Sequence, residues 1–267
     1  MPWAPVNGID LYYEVHGSGP HLLFAHGQGG NHLSWWQQIP FFARHYTCIT
    51  YDHRAFGFSH DTNGLGRHAF GADVIGLLDH LGVEDVRVVA HSMGGRSALP
   101  VALRATERCR ALVLAGTNAG VTSDAVKERQ RAAAATRNGR GLGAFSVADG
   151  FREQHPHLDY LLREISRLNP PRPADFLRTP SPNGRTPQGN VAERLAATGL
   201  PVLYVVGEHD MITPPPVLEL CHALVPGSRY HVVPGSGHSA YFEKPDEFNA
   251  VVLRFLQEVD TSSGAAK

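Results

Sequence analysis

The sequence predicts an α/β fold, a mostly parallel sheet covered by helices on both faces. Three observations predict it. Short apolar runs at 21–26, 46–52, 86–90, 110–116, 201–207 and 228–233 have the length and bounding residues of buried strands. Helical patterns separate them, and strands alternating with helices imply parallel pairing with catalytic groups collected at the carboxyl ends of the strands. Hydrophobic residues make up 42% of the 267 and charged residues only 18%, which gives a well-buried core of a size that commonly holds together as one domain.

Ile9 to Val15 alternates as an edge strand does, and Gly17-Ser18-Gly19-Pro20 turns the chain into the buried strand His21 to His26. The glycine-rich loop Gly27-Gln28-Gly29-Gly30-Asn31 leads into a helix predicted from about Ser34 to Arg44. After the strand Tyr46 to Asp52 comes the loop His53-Arg54-Ala55-Phe56-Gly57-Phe58-Ser59. Phe70, Val74, Leu77, Leu78 and Leu81 then form an amphipathic stripe. The apolar strand Val86 to Ala90, a helix from Arg96 to Arg104 and the strand Arg110 to Gly116 follow.

Residues 118–198 differ in character, with polar helical stretches at Asp124 to Asn138 and Leu158 to Leu168 and a proline-rich run from Asn169 to Pro182. They carry no strong strand signal and read as a helical insertion. Alternation resumes with the strand Pro201 to Gly207, a helix from Pro214 to Val225 begun by prolines, and the strand Ser228 to Val233. The closing helix places Phe248, Val251, Val252, Phe255 and Leu256 on one face, and Thr261 to Lys267 reads as a frayed tail. The expected division is a core of residues 1–117 and 199–260, an insertion at 118–198 and a tail at 261–267.

Charge and cysteines narrow the function classes. A net charge of −1 gives no general attraction to nucleic acid or anionic membranes. Residues 120–199 hold twelve Lys and Arg against eight Asp and Glu, so the insertion is mildly basic. Its Arg129, Arg131, Arg137, Arg140, Arg163 and Arg167 are better read as a solvated helix surface than as a site for anionic substrates. Cys48, Cys109 and Cys221 are odd in number and lack metal-ligand spacing, which suits reduced, buried thiols. Met1-Pro2-Trp3 begins no signal peptide and no apolar run approaches membrane-spanning length, so a cytoplasmic location is expected. The sixteen histidines include no His-Glu-x-x-His and no convincing ligand grouping, so neither metal nor cofactor is expected.

The chemistry centres on Val88-Val89-Ala90-His91-Ser92-Met93-Gly94-Gly95. A buried strand ends at a serine between small residues and a helix starts, which is the layout of a nucleophile elbow. Positions two before and two after the serine must be small, and they are Ala90 and Gly94. Taken alone, the pentapeptide fits a serine capping a helix equally well. The rest of the chain decides. Asp210 follows the strand at 201–207 and His238 follows the strand at 228–233, in Gly235-Ser236-Gly237-His238-Ser239. A serine hydroxyl needs an adjacent base to act as a nucleophile, and a buried carboxylate fixes the imidazole's tautomer. Glu208 is an alternative acid two residues before Asp210. The Met93 N–H at the helix start and the Gln28 N–H after His26-Gly27 are the expected oxyanion donors.

With these residues in place, the chain resembles an α/β-hydrolase over nearly its whole length. The resemblance rests on His26-Gly27-x-Gly29-Gly30, Asp52-x-Arg54-x-x-Gly57-x-Ser59, His91-Ser92-Met93-Gly94-Gly95, Gly207-x-x-Asp210 and Gly237-His238-x-x-x-x-Glu243-x-Pro245, all in the family's order. It implies the α/β-hydrolase fold with a sheet of the eight-stranded type, the triad Ser92–Asp210–His238 and a helical cap formed by the insertion. Ala55 departs from the family's common Arg-Gly pair, a structural difference that does not touch the triad.

Within the family the sequence is similar to carboxylesterases, enol-lactone hydrolases, C–C bond hydrolases of ring-cleavage products and cofactor-free haloperoxidases. The favoured expectation is a metal-free serine hydrolase acting on a small-molecule ester or lactone. C–C hydrolysis, a receptor-like ligand-binding role with slow turnover and a perhydrolase side activity are the alternatives. Candidates to line the substrate pocket are His26, Gly27, Trp35, Trp36 and His91, with Phe56 and Phe58 nearby. Packing explains the aromatic residues equally well, and His26, His53 and His91 read as structural supports.

Overall fold

The computed structural model describes residues 2–173, 176–177 and 189–264. Strands β1 (Trp3–Val6), β2 (Ile9–His16), β3 (His21–Ala25), β4 (Thr47–Tyr51), β5 (Val86–His91), β6 (Cys109–Ala115), β7 (Val202–Gly207) and β8 (Arg229–Val233) form one sheet. Their spatial order is β1-β2-β4-β3-β5-β6-β7-β8. The β1–β2 and β2–β4 pairs are antiparallel and the rest are parallel. Among the described residues there are ten α-helices: α1 (Ile39–Phe42), α2 (Phe70–His80), α3 (Gly95–Arg104), α4 (Asp124–Thr136), α5 (Phe151–Gln154), α6 (Pro156–Arg167), α7 (Val191–Ala197), α8 (Pro215–Leu224), α9 (Ala240–Glu243) and α10 (Pro245–Gly264).

Strand residues divide between two apolar layers because successive side chains point to opposite faces. Leu23, Val88, Leu112 and Val202 stand in register across β3, β5, β6 and β7. They pack with Val74 and Leu77 of α2, Val101 of α3 and Leu218 of α8. The next row, Phe24, Val89, Val113 and Leu203, faces the other way, toward Phe42 of α1 and Phe248, Val252 and Phe255 of α10. The doubly covered, mostly parallel sheet predicted from the alternation is therefore the observed architecture.

Several elements differ from the sequence expectation, each for a physical reason. The edge strand is β1, not the strand beginning at Ile9. Asn7 and Gly8 both take positive φ (44° and 75°) between Val6 and Ile9, the geometry of a two-residue hairpin turn for which Asn-Gly is the strongest signal. The helix expected from Ser34 to Arg44 is broken into a 3-10 turn at His32–Trp35 and the short α1. Pro40 has no N–H to continue a helix through Trp36 and sits where a new one starts. The expected frayed tail is helical through Gly264, where Thr261 and Ser262 bond back to the carbonyls of Gln257 and Glu258 at 2.8 Å. Earlier in α10, Asp260 is held by the Tyr46 hydroxyl and the Arg87 guanidinium.

Helices α5 and α7 were not foreseen. Asn190 caps α7 by accepting from the Ala192 N–H at 3.0 Å. Within residues 118–198, α4 and α7 pack against α8, and α6 packs against the 3-10 turn at 32–35. Parts of the predicted proline-rich run, at 174–175 and 178–182, lie outside the described residues. No helix among the described residues is long and apolar enough to cross a membrane.

Candidate active site

The site forms where β5, β7 and β8 end. All six residues of β5 are buried, and the chain then reverses at Ser92, whose φ is 50°. A non-glycine residue in the left-handed region costs about 1–2 kcal/mol and marks a position the surroundings over-determine. The reversal presses the start of α3 onto β3. A Cβ at Gly94 would lie 2.2 Å from the Ala25 carbonyl oxygen, so only glycine fits there. Ala90, two residues before Ser92, is buried in the core beside Leu114 and Ala25, and its methyl fits.

The serine does not cap the helix. Its Oγ lies 2.9 Å from His238 Nε2, and His238 Nδ1 lies 2.8 Å from Asp210 Oδ2. Asp210 Oδ1 accepts the Ile212 and Thr213 N–H groups at 2.7 and 2.9 Å, which fixes the carboxylate. Burial by itself would push the Asp210 carboxyl up, but His238 and the two N–H groups hold it below its ordinary value. An ionised Asp210 can only accept, so the imidazole proton sits on Nδ1 and Nε2 is free to take the serine proton. Glu208, the alternative acid, is exposed and accepts the Gly235 N–H at 2.9 Å instead.

Sequence reasoning missed Gly116, at the end of β6. A Cβ there would stand 3.1 Å from the His238 ring and 3.3 Å from Asp210 Oδ2, and its φ is 56°. The Ala115-Gly116-Thr117 step at a strand end was the available signal.

The glycine-rich loop lies against Ser92, since a Cβ on Gly27 would be 3.4 Å from Ser92 Cβ and 2.6 Å from His91 Nδ1. His26 Nε2 accepts the His53 N–H at 3.0 Å, so its proton is on Nδ1, which donates to the Gly27 carbonyl at 2.8 Å. The Gly30 N–H donates to the same carbonyl at 3.1 Å. Two donors therefore fix the Gly27–Gln28 peptide plane, and in a trans peptide the Gln28 N–H must point the opposite way. His53 completes the support through Ser97 Oγ at 3.2 Å. Burial drives the pKa of His53 and of His91 down to about 3, so both are neutral. The His91 Nε2–H donates to the His238 carbonyl at 2.9 Å.

The other pocket candidates are dispersed. Trp35 is wholly buried between Phe24 and Tyr241, whereas Trp36 is exposed and meets the edge of Phe242. Phe56 packs with Phe70 and Met93, and Phe58 joins Tyr12 and His32 near the sheet edge. Of the arginines singled out between 118 and 198, Arg163 and Arg167 pair with Asp159 and Glu164, Arg140 lies over Phe145, and Arg129 and Arg131 are exposed. Arg137 donates to the Met211 carbonyl at 3.2 Å.

Arg54 is fully buried and pairs with Asp73 and Asp61, which anchors the loop carrying Ala55 at φ 64°. A cavity of about 940 Å³ beside that loop, lined by Ala55, Asp61, Arg172 and Phe176 among others, includes none of Ser92, Asp210 and His238. No group of three or more His, Cys, Asp or Glu among the described residues could hold a metal ion. All three cysteines are buried.

Comparison with known proteins agrees with this architecture. A family model described as the alpha/beta hydrolase fold matches residues 20–245. A protein of Azorhizobium caulinodans named "Putative carbamate hydrolase RutD" is 30% identical, over 97% of this chain and 100% of that protein. A thermophilic esterase from Thermogutta terrifontis superposes with a TM-score of 0.77 at 25% identity, covering 96% of this chain and 98% of the esterase. An enol-lactonase from Burkholderia xenovorans LB400 shares the fold, with a TM-score of 0.74 at 23% identity over 96% of this chain and all of that one.

Proposed function

This chain belongs to the alpha/beta hydrolase family, and on that premise we propose that it is a serine hydrolase of carboxylic esters or lactones acting through an acyl-enzyme. The observation that carries the reading is the Asp210–His238–Ser92 hydrogen-bond relay with its tautomer fixed. Ser92 Oγ attacks the substrate carbonyl carbon while His238 Nε2 takes the hydroxyl proton. Buried Asp210 stabilises the imidazolium that results. The Gln28 and Met93 N–H groups hold the oxyanion, in a site whose donors need not reorganise.

Collapse of the tetrahedral intermediate breaks the bond to the leaving alkoxide, which receives the proton from His238. A water, activated by the same imidazole, then repeats the sequence in reverse and frees the acid and Ser92. The insertion at 118–198 serves as the cap over this centre.

Similarity to the thermophilic esterase supports the ester as the scissile group. A carbamate is the second reading, favoured by the relative that is 30% identical from end to end. A carbamate would follow the same steps to a carbamoyl-enzyme.

The test is hydrolysis of p-nitrophenyl esters, aliphatic lactones, carbamates and a ring-cleavage dienone by the wild type and Ser92→Ala. Turnover of one class, with Ser92→Ala lower by on the order of 10⁶-fold, is the expected result. Equal activity in the two proteins would remove Ser92 from the mechanism. Inert wild type with tight ligand binding would favour a receptor role.

A further inference from the structure

Glu243 lies five residues beyond His238 and takes no part in the relay. It is nevertheless buried, and its carboxylate spans two parts of the chain far apart in sequence. Oε1 accepts the Gly237 N–H at 3.0 Å, directly beside His238, while Oε2 accepts the Ala148 N–H at 2.8 Å, inside the insertion. The Ser239 N–H, on the other side of His238, donates to the Ser146 carbonyl at 2.9 Å.

The contact is close enough to exclude any side chain. A Cβ on Gly237 would lie 2.4 Å from the Ala148 nitrogen, and a Cβ on Gly207 would lie 1.9 Å from the Gly237 oxygen. The peptide before His238 is thus pressed between the end of β7 and the backbone at 147–148.

We propose that Glu243 is a positioning residue that fastens the inserted segment 146–148 to the His238 loop, so that the two move as one body and hold Nε2 on Ser92. The proposal rests on the reading of Ser92 and His238 as the reacting pair. The residue type follows from the task. Two N–H donors facing each other across one side chain need an acceptor at both positions, and among side chains of this length only a glutamate has that. In Glu243→Gln one arm becomes an N–H facing an N–H and opens, while volume is kept. Aspartate is a methylene short of spanning both donors.

The experiment compares wild type with Glu243→Gln by two readouts and adds one on the wild type alone. The first is the rate at which a fluorophosphonate esterifies Ser92, normalised to folded protein. The second is kcat and KM on the best ester of the panel. Displacing a reacting group by a fraction of an ångström lowers reactivity with little effect on binding, so we expect phosphonylation and kcat to fall about 10- to 100-fold, with KM within about twofold.

The third readout is hydrogen exchange in the unmodified protein, where the Ala148 and Gly237 amides should show matched protection. A variant that loses thermal stability but keeps wild-type reactivity per folded molecule would overturn the proposal. So would exchange at Ala148 orders of magnitude faster than at Gly237, whether or not the variant folds. Wild type that resists phosphonylation would sink the serine-hydrolase reading instead, with the exchange result still judging the clamp.

Discussion

At the residue scale, burial fixes the protonation of the imidazoles around Ser92. His26, His53 and His91 are held neutral inside the protein, chiefly by burial, and each then has one donor and one acceptor to place. His26 spends its donor on the Gly27 carbonyl and His91 on the His238 carbonyl, so two neutral imidazoles brace the two loops that meet at Ser92. Neutrality has a consequence for stability. The folded pKa of His53 and of His91 is about 3, below the unfolded value of about 6.5, so between those limits the unfolded chain binds more protons. Stability is then full above pH 6.5 and falls as the pH drops, by up to about 1.4 kcal/mol per pH unit for each such histidine. Urea midpoints should therefore decline from pH 7 to pH 5, before most carboxylates titrate. A flat profile over that interval would show that these imidazoles are not kept neutral.

At the element scale, function depends on how tightly β5, β3 and α3 meet. The elbow is tight because Gly94 has backbone where any other residue would have a Cβ, and Ser92 accepts a left-handed conformation as a result. In Gly94→Ala the new methyl meets the Ala25 carbonyl, which is backbone and cannot swing aside. We expect a destabilisation of about 1–3 kcal/mol, the usual cost of overpacking, together with a loss of hydrolytic activity larger than the loss of folded protein. Thermal melts run beside active-site titration separate the two effects. Retention of full activity per folded molecule would mean that the turn relaxes without moving Ser92. Loop anchoring follows the same logic, since buried Arg54 ties the loop after β4 to α2 through Asp73.

At the scale of the whole molecule, the chain carries a net charge of −1 at neutral pH, close to the condition in which proteins associate most readily. Five of its sixteen histidines, His26, His32, His53, His91 and His238, are buried, and the rest reach solvent. Lowering the pH from 7.5 to 6.0 takes the chain below its sequence isoelectric point of about 7.0 and gives it a net positive charge. Solubility in polyethylene glycol is expected to be higher at pH 6.0 than at pH 7.5. The opposite order would mean that net charge does not govern the association of this protein.

The sequence by itself determined the alternation that makes a doubly covered parallel sheet, because period and length are local properties of each segment. It also showed the order Ser92, Asp210, His238 at three strand ends, since each follows an apolar run directly, and the Gly-x-Gly-His loop has no packing purpose. The hairpin turn at Asn7-Gly8 carried a local signal, but the strand before it is only four residues long and was not foreseen. What only tertiary structure decided is which groups meet. That Asp210 and not Glu208 faces His238 depends on which side of one turn points inward. That Gly116 and Gly237 must lack side chains depends on partners 122 and 89 residues away in the chain, His238 and Ala148. The two hydrogen bonds that Glu243 accepts depend on the backbone at Ala148 reaching the loop before His238. Periodicity reports the face a residue presents, and it carries no information about the element that will cover that face.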